Sequence, residues 1–207
     1  MADLNERDAK LVQYLNEAHG KEKELETALQ AHIAMTTRAP YKKRLQQHLR
    51  ETKGHARQLE RRIKKLGGGG HALQTVVAKT MAAAKGPLHM VRGSGEQEKM
   101  LKNAKTEYFN EHEEISTYLA IETFAEKVGD RETAKLARDI RHEEERMAKF
   151  LETQIKALSG AVVTAEVPAA QRRSANGGRA RKRSTKRRTT KAKAKPKARK
   201  KATARKR

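Results

Sequence analysis

A cluster of histidine and glutamate residues interrupts the apolar face of one helical segment. In the stretch HLRETKGHARQL, the positions that a helix normally buries are occupied by His48, Thr52 and His55, with Glu51 beside them. Carboxylate and imidazole groups on adjacent turns of one helix are suitable ligands for iron, manganese and related divalent ions. Glu51 and His55 are therefore candidate metal ligands, and His48 is a candidate for a third.

A second copy of this pattern lies 92 residues further along the chain. The shift that places the helix end LERRIKKL on LETQIKAL also places glutamate on glutamate at two further positions. These pairs are Glu22 with Glu114 and Glu51 with Glu143, and the two glutamates are 29 residues apart in each half. Because chance rarely aligns helix ends and carboxylates under one shift, the chain is predicted to contain two related helical hairpins.

Four long helices are predicted to position these residues. Gly and Pro are sparse before residue 167, helix formers such as Ala, Leu, Glu and Lys dominate, and apolar residues recur at steps of three and four. The predicted segments are 4–35, 41–66, 95–128 and 130–158. Gly129 is expected to end the third helix, and Asp130 is expected to cap the fourth.

The connections between the helices predict how they are arranged. The first and second helices, and the third and fourth, are joined by short turns, so each pair is expected to form an antiparallel hairpin. The middle connection, 67–94, is long and contains ALQTVVAKTMAAA, which is predicted to form a short helix. The predicted fold is an all-α four-helix bundle of two antiparallel hairpins with a long helical crossover, occupying residues 1–160.

All four predicted helices place carboxylates at mid-height on their inward faces. These carboxylates are Glu22, Glu51, Glu111, Glu114, Glu143 and Glu144. Buried carboxylates repel one another and cost several kcal/mol each when unpaired, so a cation is expected between them. Glutamates and histidines that project inward from four helices are the ligand pattern of di-iron and di-manganese proteins. Two iron ions are the expected cofactor, with manganese as the alternative.

Four segments of the chain resemble a known protein family. YLNEAHGKE, HLRETKGHARQLE, NEHEEISTY and EEERMAKFL are similar to the YciE/YciF-type stress proteins of the ferritin-like superfamily, over residues 5–158. The resemblance implies a ferritin-like four-helix bundle with a di-metal centre. The ligands that it supports are Glu22, Glu51, His55, Glu114 and Glu143, with Glu111 and Glu144 close by. The spacing departs from that of ferritins, because Glu51 and His55 are four residues apart and the counterpart of His55 in the second half is Met147.

The end of the chain carries most of the net charge of +23. Residues 168–207 contain 19 Lys or Arg and no Asp or Glu, whereas the preceding 167 residues contain 29 basic and 25 acidic side chains. Because it has no apolar run that could build a core, the segment 161–207 is predicted to be a disordered Lys/Arg/Ala-rich tail. Its composition resembles that of linker-histone tails.

This tail is predicted to bind the phosphate backbone of DNA without sequence preference, with RNA as the alternative. No aromatic residues interleave with the cations, so stacking on bases is not expected. The predicted phosphate-binding residues are Arg172, Arg173, Arg179, Arg181, Lys182, Arg183, Lys186, Arg187, Arg188, Lys191, Lys193, Lys195, Lys197, Arg199, Lys200, Lys201, Arg205, Lys206 and Arg207.

The composition argues against several other classes of protein. The absence of Cys rules out disulfides and thiolate metal sites and is typical of a reducing cytoplasm. No apolar run approaches the roughly 18 residues of a membrane span, and the tail lacks the amphipathic pattern of a membrane-surface helix. No membrane partner is therefore expected. The expected location is the cytoplasm, in association with the nucleoid, and a homo-oligomer is compatible with the bundle.

Two functions from different classes fit these features. In the first, a DNA-associated ferritin-like protein binds Fe(II) at a carboxylate-bridged di-metal site and oxidises it, as a ferroxidase or a peroxide-consuming oxidase, which limits oxidative damage near the nucleoid. In the second, a non-enzymatic protein compacts DNA or RNA, and its metal site is structural or vacant. A manganese-dependent peroxide-degrading enzyme would use the same ligands as the first.

The basic tail generates a prediction about salt. If about ten phosphates are neutralised on binding, the logarithm of the DNA association constant should fall with the logarithm of the salt concentration at a slope of about −9. Fluorescence anisotropy of a labelled duplex, titrated with the protein at a series of salt concentrations, measures this slope. A slope close to zero would contradict phosphate binding by the tail.

Overall fold

Four long α-helices make up most of the chain that the computed structural model describes, which is residues 4–69 and 95–172. The helices are α1 (Glu6–Met35), α2 (Ala39–Lys65), α3 (Glu96–Lys127) and α4 (Arg131–Glu166), followed by a single 3-10 turn at Ala169–Gln171. The four predicted helices are therefore confirmed. The predicted crossover helix within 67–94 and the basic tail from residue 173 onward lie outside the described residues.

The boundaries of the helices follow from local signals in the sequence. The side chain of Asp130 caps α4 by accepting a hydrogen bond from the Thr133 backbone N–H at 3.0 Å, and Gly129 before it adopts a positive φ of 78°. One boundary differs from the prediction, because α4 runs on to Glu166 instead of ending near residue 158, so residues 161–166 are helical and not part of a disordered tail. Gly160 makes the free energy of helix formation only about 1 kcal/mol less favourable than alanine would. This cost is too small to end a helix that is anchored by the fully buried Leu158.

The helices pack as two hairpins that close into one bundle. α1 packs along α2 and α3 packs along α4, and the hairpins meet where α1 contacts α3 and α2 contacts α4. Each helix therefore has two neighbours, as the predicted four-helix bundle requires. The described residues up to Glu166 form one compact unit. Within the described residues, no helix is both long enough and apolar enough to cross a membrane.

The core of the bundle is built from apolar clusters separated by a polar layer. One large cluster is Val12, Leu15, Ala18, Leu59, Ile63, Tyr118, Ile121, Ala137 and Ile140, and the other is Leu29, Tyr41, Leu45, Met100, Ala104, Met147, Leu151 and Leu158. Between them along the helices lie buried glutamates and histidines. The apolar clusters fix the helices on both sides of the polar layer and so hold its side chains at fixed separations.

A buried arginine ties α2 to the turn between α3 and α4. The Arg62 guanidinium donates to Asp130 Oδ2 at 2.6 Å, to Thr133 Oγ1 at 2.7 Å and to Glu132 Oε2 at 2.7 Å. Burial of Asp130 would raise its pKa, but the hydrogen bonds from Thr133 and Arg62 hold the pKa below its usual value. The three donors of one planar group therefore join the two hairpins at this end of the bundle.

Replacing this arginine should destabilise the bundle strongly. Arg62→Ala leaves Asp130 buried without its cation, and such a change costs about 3–5 kcal/mol of unfolding free energy. The matched control is Lys64→Ala on the same helix, since Lys64 pairs only with the solvent-exposed Glu60 and should change stability little. Urea unfolding followed by circular dichroism compares the two variants. Equal, small losses would contradict the role given to Arg62.

Candidate metal centre

The polar layer brings together one histidine- and carboxylate-rich cluster from all four helices. Its central members are Glu22 from α1, His48 and His55 from α2, Glu111 from α3 and Glu144 from α4, and each is at most 2% exposed. The side chains reach the interior because each occupies a buried position of its helix at the spacing of three or four residues that otherwise holds apolar residues.

Two ligand groups within the cluster share a single carboxylate, that of Glu144. One group is Glu22, His55 and Glu144, and the other is His48, Glu111 and Glu144, with the potential ligand atoms of each group within 4.8 Å of one another. Glu144 Oε1 lies 3.0 Å from His55 Nδ1, while its Oε2 lies 3.7 Å from His48 Nε2. The two oxygens of Glu144 thus face two different histidines, which is the arrangement expected of a bridging carboxylate.

One further buried carboxylate completes each group. His55 Nδ1 lies 3.4 Å from Glu22 Oε1, and His48 Nε2 lies 3.0 Å from Glu111 Oε1. Glu114 is buried beside both groups, and its pKa is raised well above its usual value by burial and by repulsion from Glu22 and Glu144. Four buried carboxyl groups therefore face two imidazoles.

Each histidine also contacts a second carboxylate through its other ring nitrogen. His55 Nε2 lies 3.0 Å from Glu143 Oε2, and His48 Nδ1 lies 3.3 Å from Glu51 Oε2. Glu51 is in turn held by Arg44, which donates to it at 2.9 Å. Contact with His48, together with Arg44, lowers the pKa of Glu51 to about 2. A carboxylate on the outer nitrogen fixes the tautomer and orientation of an imidazole whose inner nitrogen can bind a metal.

The pKa values within the cluster are shifted in the directions expected for crowded carboxyl groups. Burial raises the pKa of Glu111 to about 8 and raises that of Glu22, although the histidines oppose both shifts. Burial would lower the pKa of His55, but the carboxylates of Glu144 and Glu22 raise it to about 11. Burial would raise the pKa of Glu144, but the imidazoles of His55 and His48 lower it. Without a metal ion, bound protons reduce the negative charge of the cluster, because they make the histidines cationic and some of the carboxyl groups neutral.

The donor atoms of the cluster fit divalent metal ions. Buried oxygens without a hydrogen-bond donor in the described part of the chain include Glu22 Oε2, Glu111 Oε2, Glu114 Oε1 and both oxygens of Glu144. Buried polar atoms are almost always satisfied, so several such oxygens converging on one volume are suited to bind a cation. Hard oxygen donors with two imidazoles suit iron or manganese better than soft metals.

Comparison with known proteins shows the family to which the chain belongs. The sequence matches the family described as "Domain of unknown function (DUF892)" over residues 6–164. The chain belongs to the DUF892 family. The similarity to YciF-type ferritin-like proteins that the four sequence segments indicate is thereby confirmed. A comparison with curated protein sequences gives no significant match.

Solved structures share the fold of this DUF892 protein. A protein of Xanthomonas campestris pv. campestris is 26% identical with a TM-score of 0.62, and the match covers 78% of this chain and 99% of that one. The Escherichia coli stress protein YciF is 18% identical with a TM-score of 0.57, covering 77% and 99%. A protein from Bacillus anthracis str. Ames, described as ferritin-like and diiron-carboxylate, is 19% identical with a TM-score of 0.53, covering 73% and 99%.

The DUF892 protein arranges the sequence-predicted residues in an inner and an outer layer. The inner layer holds Glu22, His48, His55, Glu111, Glu114 and Glu144, and the outer layer holds Glu51 and Glu143. The sequence ranked Glu143 ahead of Glu144, whereas the structure buries Glu144 fully and leaves the Glu143 side chain 35% exposed. Both positions are one turn from Ile140 and from Met147, so spacing alone cannot choose between them.

Sequence reasoning missed a second buried polar group next to the centre. Glu107, one turn before Glu111 on α3, accepts from the Tyr41 hydroxyl at 2.9 Å and lies 2.6 Å from His32 Nδ1. A cavity of about 10 Å³, close to the volume of one water, is lined by Glu107, His32, Glu111 and His48 among others. The sequence does contain an indication of Glu107, because it lies four residues before Glu111 on the same helix face. The neighbouring Tyr108 fits the apolar face equally well, and the prediction placed Tyr108 there instead.

The raised pKa values predict how the metal-free DUF892 protein responds to pH. The pKa of Glu111 is about 8 in the folded protein against 4.5 for the free side chain, so its stabilising contribution is complete below about pH 4.5 and is lost as the pH rises through 8. His55, raised to about 11 from 6.5, acts in the same direction above about pH 6.5. The unfolding free energy of chelator-treated protein should therefore fall by several kcal/mol between about pH 5 and about pH 9.

Urea titrations at a series of pH values measure this dependence. Glu111→Gln should flatten it, because the amide does not titrate, and saturating Mn²⁺ should flatten or reverse it by replacing the protons. Stability that rises steadily with pH in the metal-free protein would contradict the charge state described for the cluster.

Proposed function

We propose that this protein binds two divalent metal ions between its four helices, takes up Fe(II) there and oxidises it with O2 or peroxide while its basic tail holds it on DNA. The observation that carries the metal-binding part is the sharing of Glu144 between two buried His/Glu groups. The diiron-carboxylate description of a protein with the same fold supports iron as the metal, and manganese is the alternative because it accepts the same ligands.

Charge balance supports two ions. Glu22, Glu111, Glu114 and Glu144 bring four negative charges into the core when all are ionised, and two divalent cations bring four positive charges. A neutral assembly avoids both the repulsion among carboxylates and the cost of burying net charge. A single divalent ion would leave the cluster dependent on protonated carboxyl groups.

Each residue has a distinct role in the proposed site. Glu144 would bridge, with one oxygen directed to the side of His55 and the other to the side of His48. Glu22 would complete the His55 side and Glu111 the His48 side. Glu114 would ligate from α3, while Glu51 and Glu143 would accept the outer N–H groups of the histidines and hold the rings in place.

The bound ions would supply the redox chemistry, and the chain controls access and charge. With peroxide as the oxidant, two Fe(II) ions, one peroxide molecule and two protons yield two Fe(III) ions and two water molecules. Tyr118, fully buried, donates a hydrogen bond to Glu22 and so fixes the orientation of that carboxylate. Apolar clusters on both sides of the polar layer exclude bulk water from the reacting ions.

The basic tail gives this activity a location. Its 19 Lys and Arg residues would bind DNA through phosphates without sequence preference. Free Fe(II) beside DNA generates damaging radicals from peroxide, so removal of Fe(II) and peroxide at that place would protect the DNA. This supports oxidative-stress protection as the purpose of joining the two parts in one chain.

Replacing the bridging carboxylate should abolish the activity. Untagged full-length protein loaded anaerobically with Fe(II) should bind about two ions per chain and oxidise them rapidly on addition of O2 or peroxide. Glu144→Gln should lose stoichiometric binding and oxidation, because the amide cannot bridge as an anion. The matched control is Glu145→Gln, the exposed neighbour that pairs with Arg141, which should behave as wild type.

The same assay separates the outer carboxylates from the ligands. Glu51→Gln and Glu143→Gln should weaken metal affinity by about 10–100-fold and retain two ions at saturation, as expected for residues that orient a histidine. If Glu143→Gln lost one ion while Glu144→Gln kept two, Glu143 would be the ligand and Glu144 the orienting residue. No stoichiometric metal in the wild type, with higher thermal stability in Glu144→Gln, would favour the non-enzymatic DNA-compacting function instead, because the substitution relieves repulsion.

A further inference from the structure

The positive charge of the bundle is concentrated on one helix, α2. α2 contains ten Lys or Arg and two Glu, whereas α1 contains four basic and six acidic residues, α3 contains four and eight, and α4 contains seven of each. Residues 1–167 are nearly balanced as a whole, so their composition conceals this asymmetry. A single strongly cationic helix beside three neutral or acidic ones gives the bundle one face that attracts polyanions.

The cations of α2 form a line along its outer face. Lys43, Arg50, Arg57 and Lys64 recur every seven residues, and Arg61 lies one turn from both Arg57 and Lys64. All five side chains are exposed, and we call them the α2 ridge. At 1.5 Å per residue the ridge is about 30 Å long, with cations about 10 Å apart.

Most of the α2 ridge is free of acidic partners. Lys64 pairs with Glu60 at 2.6 Å, but within the described residues the side chains of Lys43, Arg50 and Arg57 make no ion pair or hydrogen bond. By contrast, Arg62, the buried cation of α2, is paired with Asp130, and the half-buried Arg44 is paired with Glu51. Exposed cations that the fold leaves without counter-charges are available to an external anion at little desolvation cost.

The shape and chemistry of the ridge fit a duplex better than a membrane. None of the exposed large apolar side chains of the described residues lies on α2; they are Leu4, Met35, Phe109, Leu119 and Val163. A membrane-surface helix would need such side chains to insert among the lipids. A straight row of cations about 30 Å long instead matches a linear array of phosphates over nearly one turn of DNA, which rises about 34–36 Å.

We propose that the α2 ridge is a second DNA-binding surface, which contacts the phosphate backbone of a duplex without reading its sequence. It shares a partner with the proposed function of the tail but rests on different residues, so it stands or falls separately. Because the ridge is carried by a helix that is packed into the bundle, it would fix the orientation of the bundle on the duplex.

The test compares two full-length variants of equal net charge. The ridge variant carries Lys43→Gln, Arg50→Gln and Arg57→Gln, and the control carries Lys135→Gln, Arg146→Gln and Lys149→Gln on the exposed face of α4. Each lost phosphate contact lowers the salt slope of binding by about 0.9, so the ridge variant should show a slope smaller in magnitude by about 2–3. The control should keep the wild-type slope. Circular dichroism and melting confirm that both variants are folded.

A third variant removes the contribution of the tail. With every Lys and Arg of 172–207 replaced by Gln, the protein should still bind duplex weakly in low salt, and the added ridge substitutions should abolish that binding. Equal slope changes in the ridge and control variants, or no binding once the tail is neutralised, would overturn the proposal. So would a ridge variant that loses binding to phosphatidylserine vesicles while its duplex binding is unchanged. Failure of the tail alone would leave the ridge proposal standing.

Discussion

Mutual repulsion among buried carboxyl groups is the constraint around which this bundle is organised. Glu22, Glu111, Glu114 and Glu144 come from three helices and meet at one level of the core, where water cannot screen them. The fold tolerates this arrangement because apolar clusters above and below hold the helices in place. Replacing buried charged groups by apolar side chains often leaves a core equally or more stable, so the carboxylates of this layer are not expected to be there for stability.

The two histidines of α2 set the asymmetry of the site. Both imidazoles of the cluster come from α2, while α1, α3 and α4 contribute only carboxylates. Glu144 lies opposite this pair and contacts both rings through different oxygens. The internal duplication of the sequence therefore does not produce a symmetric centre, because the position equivalent to His55 is Met147 and the position equivalent to Glu144 is Thr52. The repeat therefore recurs in the helical hairpins, but the two halves differ in the side chains that they place in the cluster.

The sequence predicted the architecture better than it predicted which carboxylate turns inward. Long helices with short turns and a strong cap at Asp130 leave few alternatives to two hairpins, and the internal repeat located the level of the site. The choice between Glu143 and Glu144 depends on the rotation of α4 by about 100°, and both positions satisfy a spacing of three or four residues. Glu107 was overlooked for the same reason, since packing against α1 and α2 decides which row of α3 faces inward.

Helix α2 carries both the inward-facing histidines of the cluster and the outward-facing cations of the α2 ridge, and this restricts the geometry of any reaction beside a bound duplex. His48 and His55 point into the core from α2, and Arg50 and Arg57 point out from the adjoining turns. An α-helix with its side chains is about 10–12 Å thick. A duplex on the α2 ridge would be separated from the metal ions by this single layer of protein. If iron is oxidised at this centre, as proposed, the reaction would take place within about one helix diameter of the DNA, with α2 between the two. Thr52 and Ala56 of α2 are buried. The packing around such small residues would therefore control whether small molecules can pass from the cluster to the surface that faces the duplex.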